Sequence, residues 1–411
     1  MNPPRRIATD VALAISLVWS ANVGAEVLFS GLTVEQEANA RVLMPLASAG
    51  CDSARWRVQR LFRDSDNHLR EALEALGFYD VTIAKSLRWE DDCWAASFDA
   101  TVGEPVRIRR VSVVVEGEGG DDPEFQARIQ TERPVPGEVL HHGRYERYKS
   151  SLLGTAISRG YFDASFESNE VIVDRDAGVA DISLQLNAGS RYRFGELSFT
   201  EGILRQDLLA GYADIQPGEF YDTEAISDLF ESLNGSTYFE SVSINTEPLD
   251  DSRKTVPVNV ALTPGTRRIY SIGAGYATDT GPKGRLGYAN RRRNDKGHQF
   301  EGKLYASPVE SELTGTYRWP INDPRNEWFS IVGGVKAEDT ETSRSDTYKL
   351  GILRSRNVSA SWLETRYLDY AFEEFRVGDQ DTSSRLVILG INWESAEGRE
   401  LSRPKNGHRL S

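Results

Sequence analysis

One turn of sequence recurs three times, and it constrains the fold of this chain more than any other feature. Leu73 to Ile83 reads LEALGFYDVTI, Ala156 to Phe166 reads AISRGYFDASF and Leu233 to Ile244 reads LNGSTYFESVSI. In each, an amphipathic stretch runs into Gly or Thr, then two aromatics, then alternating strand residues. The turns open at Gly77, Gly160 and Thr237, 83 and 77 residues apart. A second landmark keeps the same beat, a strand ending in glycine: Ser97 to Gly103 (SFDATVG), Ile182 to Gly189 (ISLQLNAG) and Val256 to Gly265 (VPVNVALTPG). Two landmarks recurring together define a unit of about 80 residues, enough for an independent core.

The units also open alike, with strands at Val27 to Leu32, Val111 to Val115 and Glu196 to Phe199. Two helical stretches follow. In the second unit they are Pro123 to Thr131, with Asp121 and Asp122 as candidate caps, and Gly143 to Arg159, with Tyr145, Tyr148, Leu152, Leu153 and Ile157 assigned to one face. The order strand, helix, helix, strand, strand predicts α+β modules with two helices on one face of a small mixed sheet. The Phe78-Tyr79, Tyr161-Phe162 and Tyr238-Phe239 pairs are expected to pack the helix end on the sheet, with Gly77 and Gly160 supplying a left-handed turn.

From Tyr270 onward helical periodicity gives way to strands of roughly ten residues. These are Ile269 to Thr278, Gly284 to Arg291, Gly297 to Ser307, Val309 to Trp319, Glu327 to Ala337, Thr347 to Arg354, Ala360 to Phe372 and Ser384 to Trp393. Asp279 to Pro282, Asn294 to Gly297 and Asn322 to Pro324 supply turn chemistry. Aromatics such as Tyr276, Tyr288, Trp319 and Trp393 suit the girdles of a transmembrane β-barrel, whose lumen would take Lys349, Glu364 and Arg366. A soluble β-sandwich is the alternative. The chain stops at Ser411 without a closing strand, so it reads as the N-terminal half of a barrel. The domain reading is a signal peptide over 1–25, modules over 26–105, 106–190 and 191–267, and half a barrel over 268–411.

The signal rests on Arg5 and Arg6, a mostly apolar run from Val11 to Trp19, and small residues Val23-Gly24-Ala25 before Glu26. Export would bring the only two cysteines, Cys51 and Cys93, into an oxidising compartment, where either a disulfide or two unrelated thiols would satisfy the sequence. A net charge of −14 argues against a nucleic-acid partner, since phosphate binding needs clustered cations; the run Arg291-Arg292-Arg293 reads as a solvated strand end. The five histidines show no metal-ligand spacing, and neither a nucleophile elbow nor a phosphate loop is present. No catalytic residue, metal or cofactor is therefore expected, and the protein reads as no enzyme.

Three such modules ahead of a barrel resemble the POTRA-domain outer-membrane assembly superfamily, and within it the TamA family, outer-membrane subunits of translocation and assembly modules. The likeness is carried by Ala75 to Tyr79 (ALGFY), Gly160 to Asp163 (GYFD), Gly189 to Gly195 (GSRYRFG) and Gly273 to Pro282 (GAGYATDTGP). The family's Arg-Gly-aromatic motif of an extracellular barrel loop has no counterpart in 268–411; Arg159-Gly160-Tyr161 lies inside the second repeat. The resemblance implies periplasmic POTRA modules and a sixteen-stranded barrel in the outer membrane of a Gram-negative-type bacterium. It also implies an inner-membrane-anchored periplasmic partner resembling TamB, contact with outer-membrane lipid, and insertion of unfolded β-barrel clients such as autotransporters. A two-partner secretion transporter and a passive pore are the rival readings, although transporters of the superfamily usually carry two modules.

Two candidate sites follow. A POTRA-like sheet places Val81 to Leu87, Ser165 to Val173 and Val242 to Glu247 at edges, and Val81 and Ile83 mark the candidate partner-binding edge. The first barrel strand, with Ile272, Gly273, Ala274, Gly275 and Tyr276, is the candidate client-pairing seam, because central glycines weaken its pairing. The competing account of those glycines is relief of crowding where the wall bends.

Overall fold

The structure, a computed structural model, describes residues 25–90, 93–248, 253–278, 280–340, 342–359, 361–378, 380–396 and 409–410. The export signal expected over 1–25 lies outside the described residues except for Ala25, as do Asp91, Asp92 and Asp279.

The first module runs β1 (Glu26–Ser30), α1 (Val34–Leu43), a 3-10 turn (Pro45–Ser48), α2 (Arg55–Glu74), β2 (Val81–Glu90) and β3 (Cys93–Val102). Thr33 and Gln36 form a reciprocal capping box that starts α1. Because both helices intervene between β1 and the rest, β1 returns parallel to β3, while β2 and β3 form an antiparallel hairpin; the sheet order is β1-β3-β2. Trp94, Phe98, Val58, Leu69 and Leu73 are buried between helix and sheet. Cys51 and Cys93 are disulfide-bonded with Cα atoms 4.6 Å apart, and the Trp94 indole donates to the Gly50 carbonyl at 3.2 Å.

The second module repeats the order with β4 (Arg107–Glu116), α3 (Pro123–Thr131), α4 (His142–Ser158), β5 (Ser165–Asp174) and β6 (Val179–Asn187). Asp122 caps α3, accepting the Glu124 N–H at 3.0 Å. On α4, Tyr145, Tyr148, Leu152 and Ala156 are buried, but Ile157 is 54% exposed. The expected placement of Ile157 on the core face is corrected here. A step of 3.6 residues per turn carries the stripe from 152 to 155 and 156.

The third module comprises β7 (Arg193–Phe199), α5 (Gln206–Ala210), α6 (Thr223–Gly235), β8 (Phe239–Asn245) and β9 (Thr255–Pro264). Sheet orders β4-β6-β5 and β7-β9-β8 reproduce that of the first module. Packing groups the chain into two units. One holds the chain up to Glu116 with 120–153 and 165–187; the other holds 117–119, 154–164 and everything from Ala188 onward.

The wall that follows is one antiparallel sheet in chain order. Its strands are β10 (Arg268–Ala277), β11 (Gly281–Asn290), β12 (Gln299–Ala306), β13 (Glu310–Pro320), β14 (Glu327–Asp339), β15 (Ser343–Asn357), β16 (Trp362–Val377), β17 (Gln380–Ala396) and the two-residue β18 (Arg409–Leu410). The last three long strands reach 15 to 17 residues, well past their expected ends. The added residues include Arg344, Arg376 and Asp381; Arg344 pairs opposite Arg376, and Arg376 opposite Asp381, as regular ladder rungs. Gly281 and Pro282, expected in a turn, open β11 instead, Gly281 pairing with Ala277.

Residues directly opposite in an antiparallel pair share a face. One row runs Ile272, Leu286, Leu304, Leu313, Val335 and Tyr348, each at least 40% exposed. The opposite face carries Glu301, Lys303, Thr314, Lys336, Lys349 and Asp369, including a Lys349–Asp369 pair at 2.7 Å. The only other sheets among the described residues are those of the modules, so no second sheet buries the apolar row. A sandwich would require that cover; an apolar face backed by a polar one is the pattern of a membrane barrel wall. Of the residues expected in the lumen, however, only Lys349 lies on the polar face, Glu364 and Arg366 falling on the face of Tyr348 toward the strand end. Among the described residues no helix is long and apolar enough to cross a membrane.

Candidate functional site

Strand β10, the candidate seam, pairs with β11 among the described residues. Ile272 is 86% and Tyr276 74% exposed. Gly273 faces Arg285, Ala274 faces Gly284, Gly275 faces Lys283 and Tyr276 faces Pro282. A Cβ on Gly275 would lie 3.5 Å from the Lys283 side chain and one on Gly273 would lie 4.0 Å from the Arg285 Cβ, both ordinary contacts. Crowding from β11 therefore does not require these glycines. Their effect is to withhold side-chain packing from the pair, and Pro282 adds an opposing residue with no N–H to donate.

At the module edge, β2 lies outermost in its sheet. Val81 is buried and Ile83 packs partly against the core, so both side chains point inward and leave the strand's rim to its backbone. Helix α2 attends this strand. Arg70 Nη1 donates to the Val81 carbonyl at 2.5 Å, and Lys85 Nζ donates to the carbonyls of Phe62 and Arg63 at 2.8 and 2.9 Å. Lys85 also pairs with Asp66, and that hydrogen bond holds the Asp66 carboxyl below its ordinary pKa.

The repeated aromatic turns do more than close their own helices. Gly77 accepts the Val106 N–H at 2.8 Å, and Gly160 accepts the Tyr192 N–H at 2.9 Å, so each turn receives the first residues of the following module. Gly77 has φ +90° and a Cβ there would lie 2.4 Å from the Leu140 carbonyl oxygen; Gly160 has φ +86° and its Cβ would lie 2.8 Å from the Tyr221 Cβ. Both positions need glycine for backbone and for space. Tyr79 completes the first junction through a 2.7 Å hydrogen bond to His142 Nε2. Burial lowers the His142 pKa below its ordinary 6.5.

The third turn meets the wall. The buried Tyr238 hydroxyl donates to the Gly297 carbonyl at 2.5 Å, and burial pushes its pKa up to about 12. Gln299 Nε2 donates to Thr237 Oγ1 at 3.0 Å while its Oε1 accepts from Arg318 Nε at 2.7 Å. The Arg205 N–H donates to Asp295 at 3.0 Å, and Trp328 packs on the module's core. The sequence reading gave Tyr238 only a local packing role and missed this joint. A readable signal existed for the other two junctions: Pro136-Gly137-Glu138 and Pro217-Gly218-Glu219 repeat just ahead of Leu140 and Tyr221, the residues that meet Gly77 and Gly160.

Tandem βααββ modules joined turn to module, ahead of an antiparallel strand wall with an apolar outer face, define the class of POTRA-bearing membrane-barrel proteins. Residues 26–101 match the family model described as "POTRA domain TamA domain 1", and residues 192–265 match the POTRA family described as "Surface antigen variable number repeat". The first and third modules are thus similar to POTRA domains, the first of them to the TamA type. Among solved structures, BamA from Haemophilus ducreyi lacking POTRA domains 1–3 aligns at TM-score 0.58 and 13% identity, over 71% of this chain and 59% of that one. CdiB from Acinetobacter baumannii aligns at TM-score 0.41 and 12% identity, over 72% of this chain and 60% of that one. This chain thus spans about three fifths of the length of the BamA chain it matches.

Proposed function

We propose that this protein inserts unfolded β-barrel proteins, autotransporters among them, into the outer membrane of a Gram-negative-type bacterium, with its POTRA modules in the periplasm. The observation that carries the reading is the make-up of β10: glycine at its centre where β11 leaves room for side chains, and exposed apolar side chains on the lipid-type face. A strand so weakly packed pairs loosely in the complete barrel, and on opening it offers N–H and C=O groups that a client strand can satisfy, which lipid cannot. The module edges at β2, β5 and β8 offer the same chemistry in water, and β2 is the edge assigned to an inner-membrane-anchored partner resembling TamB. No chemical step is assigned to the chain, and no cofactor enters the mechanism.

The test is positional crosslinking in the full chain with Cys51 and Cys93 replaced by serine. Cysteines at Ile272 or Ala274 should bond to a cysteine in the terminal strand of a stalled client, whereas Leu313 in mid-wall should not. Equal crosslinking from Leu313, or none at the seam, overturns the gate. A secretion transporter or passive pore would instead keep full transport with the seam locked by a disulfide.

A further inference from the structure

One outward face of α2 is used neither by the edge nor by the junction. Trp56, Arg60 and Arg63 follow at i, i+4 and i+7, opposite the buried stripe of Val58, Ser65, Leu69, Ala72 and Leu73. Trp56 is 67% exposed. Arg57 flanks it, and the Arg55 guanidinium lies 4.5 Å from the centroid of the Trp89 ring. Arg57, Arg60 and Arg63 are exposed and make no ion pair among the described residues. The first acid of the helix is Asp64, set to one side of this row.

Helix stability does not explain the arrangement. The positive end of the helix dipole disfavours cations, and the N-cap residue Ala54 supplies no side-chain bond. Nor does net charge, which is −14 for the chain. The face is convex, with no apolar stripe to seat a partner's side chains. It carries a single large indole among guanidiniums, the side-chain set that the boundary between water and anionic lipid favours. The disulfide between Cys51 and Cys93 and the Trp94–Gly50 hydrogen bond pin the loop entering α2, so the face is held rigidly.

We infer that this face docks the first module onto an anionic phospholipid surface, with Trp56 in the headgroup layer and Arg57, Arg60 and Arg63 against headgroup phosphates. The contact is independent of client insertion and positions the module's edge strand beside a bilayer.

The experiment uses the full chain in phosphatidylcholine nanodiscs, its disulfide intact, with Gln59→Cys carrying an environment-sensitive fluorophore. Vesicles of phosphatidylcholine with and without phosphatidylglycerol are titrated in. A blue shift is expected with phosphatidylglycerol alone and should fade with added salt. Each arginine neutralised, as in Arg60→Gln or Arg63→Gln, should weaken binding about fivefold, and Trp56→Ala should reduce it further. Asn67→Arg, which extends the exposed row by one turn, should strengthen binding by a similar factor, and this gain cannot arise from misfolding. A response to neutral vesicles equal to that with phosphatidylglycerol overturns the inference, as does indifference to all three substitutions. Tighter binding to polyglutamate than to the anionic vesicles would assign the face to an acidic polypeptide and overturn it equally.

Discussion

Replacing Gly77 with alanine tests whether the repeated turn is a joint between modules or only the end of a helix. Two costs follow from the structure. At φ +90° an L residue is strained by roughly 1 to 2 kcal/mol. The added Cβ would also sit 2.4 Å from the Leu140 carbonyl oxygen, an overlap that only a shift of the second module relieves, at about 1 to 3 kcal/mol. Gly178 provides the control, since its φ of +66° carries the same kind of strain but no atom lies within 4 Å of its Cβ. Hydrogen exchange in the full chain reads the junction directly. The Val106 N–H, donated to Gly77, and the His142 N–H, donated to Ala75, cross between modules. Opening the junction relieves the overlap but not the local strain, so in Gly77→Ala these two amides should exchange about fivefold to a hundredfold faster, given tenfold per 1.4 kcal/mol, while amides of β2 and β3 change little. In Gly178→Ala the two junction amides should stay within about twofold of the parent. Equal acceleration in both variants would show that backbone strain alone is at work and that the close approach to Leu140 has no energetic weight.

Tyr238→Phe removes a buried hydroxyl and leaves the Gly297 carbonyl without that donor, which should cost about 1 to 2 kcal/mol at the joint of third module and wall and speed exchange of the Arg205 amide. The first junction should weaken in acid. Because burial holds the His142 pKa below its unfolded value of 6.5, stability is complete above that value and is lost as pH falls through the folded pKa. The pH dependence of Val106 protection, with the intrinsic base-catalysed exchange rate divided out, should then vanish in His142→Gln. Cys51→Ser removes a crosslink spanning 42 residues and should destabilise the first module by about 4 kcal/mol in the chain-entropy account, read as an earlier urea midpoint for exchange at Phe98. Ile83→Pro takes one backbone donor from β2 and should weaken partner binding while circular dichroism stays unchanged; undiminished affinity would remove β2 from the binding edge.

The sequence by itself determined the module order and the wall, because both are written in local periodicity. Paired aromatics after a helix, glycine-ended strands and ten-residue alternation each depend on residues close along the chain. Strand ends were less legible: the added rungs at Arg344, Arg376 and Asp381 are set by the neighbouring strands and not by local alternation. Ile157 was misplaced because a helix face is read from its stripe, and the stripe's centre is decided by what packs on it. Tertiary structure alone decided what the repeated turns are for. Gly77, Gly160 and Tyr238 meet partners at Leu140, Tyr221 and Gly297, about sixty residues further along the chain in each case. The repeated Pro-Gly-Glu marks a turn ahead of two of these partners but not the contact itself, whose energy comes from close approach in space, where a missing Cβ admits a neighbouring module or a hydroxyl reaches the next element's backbone.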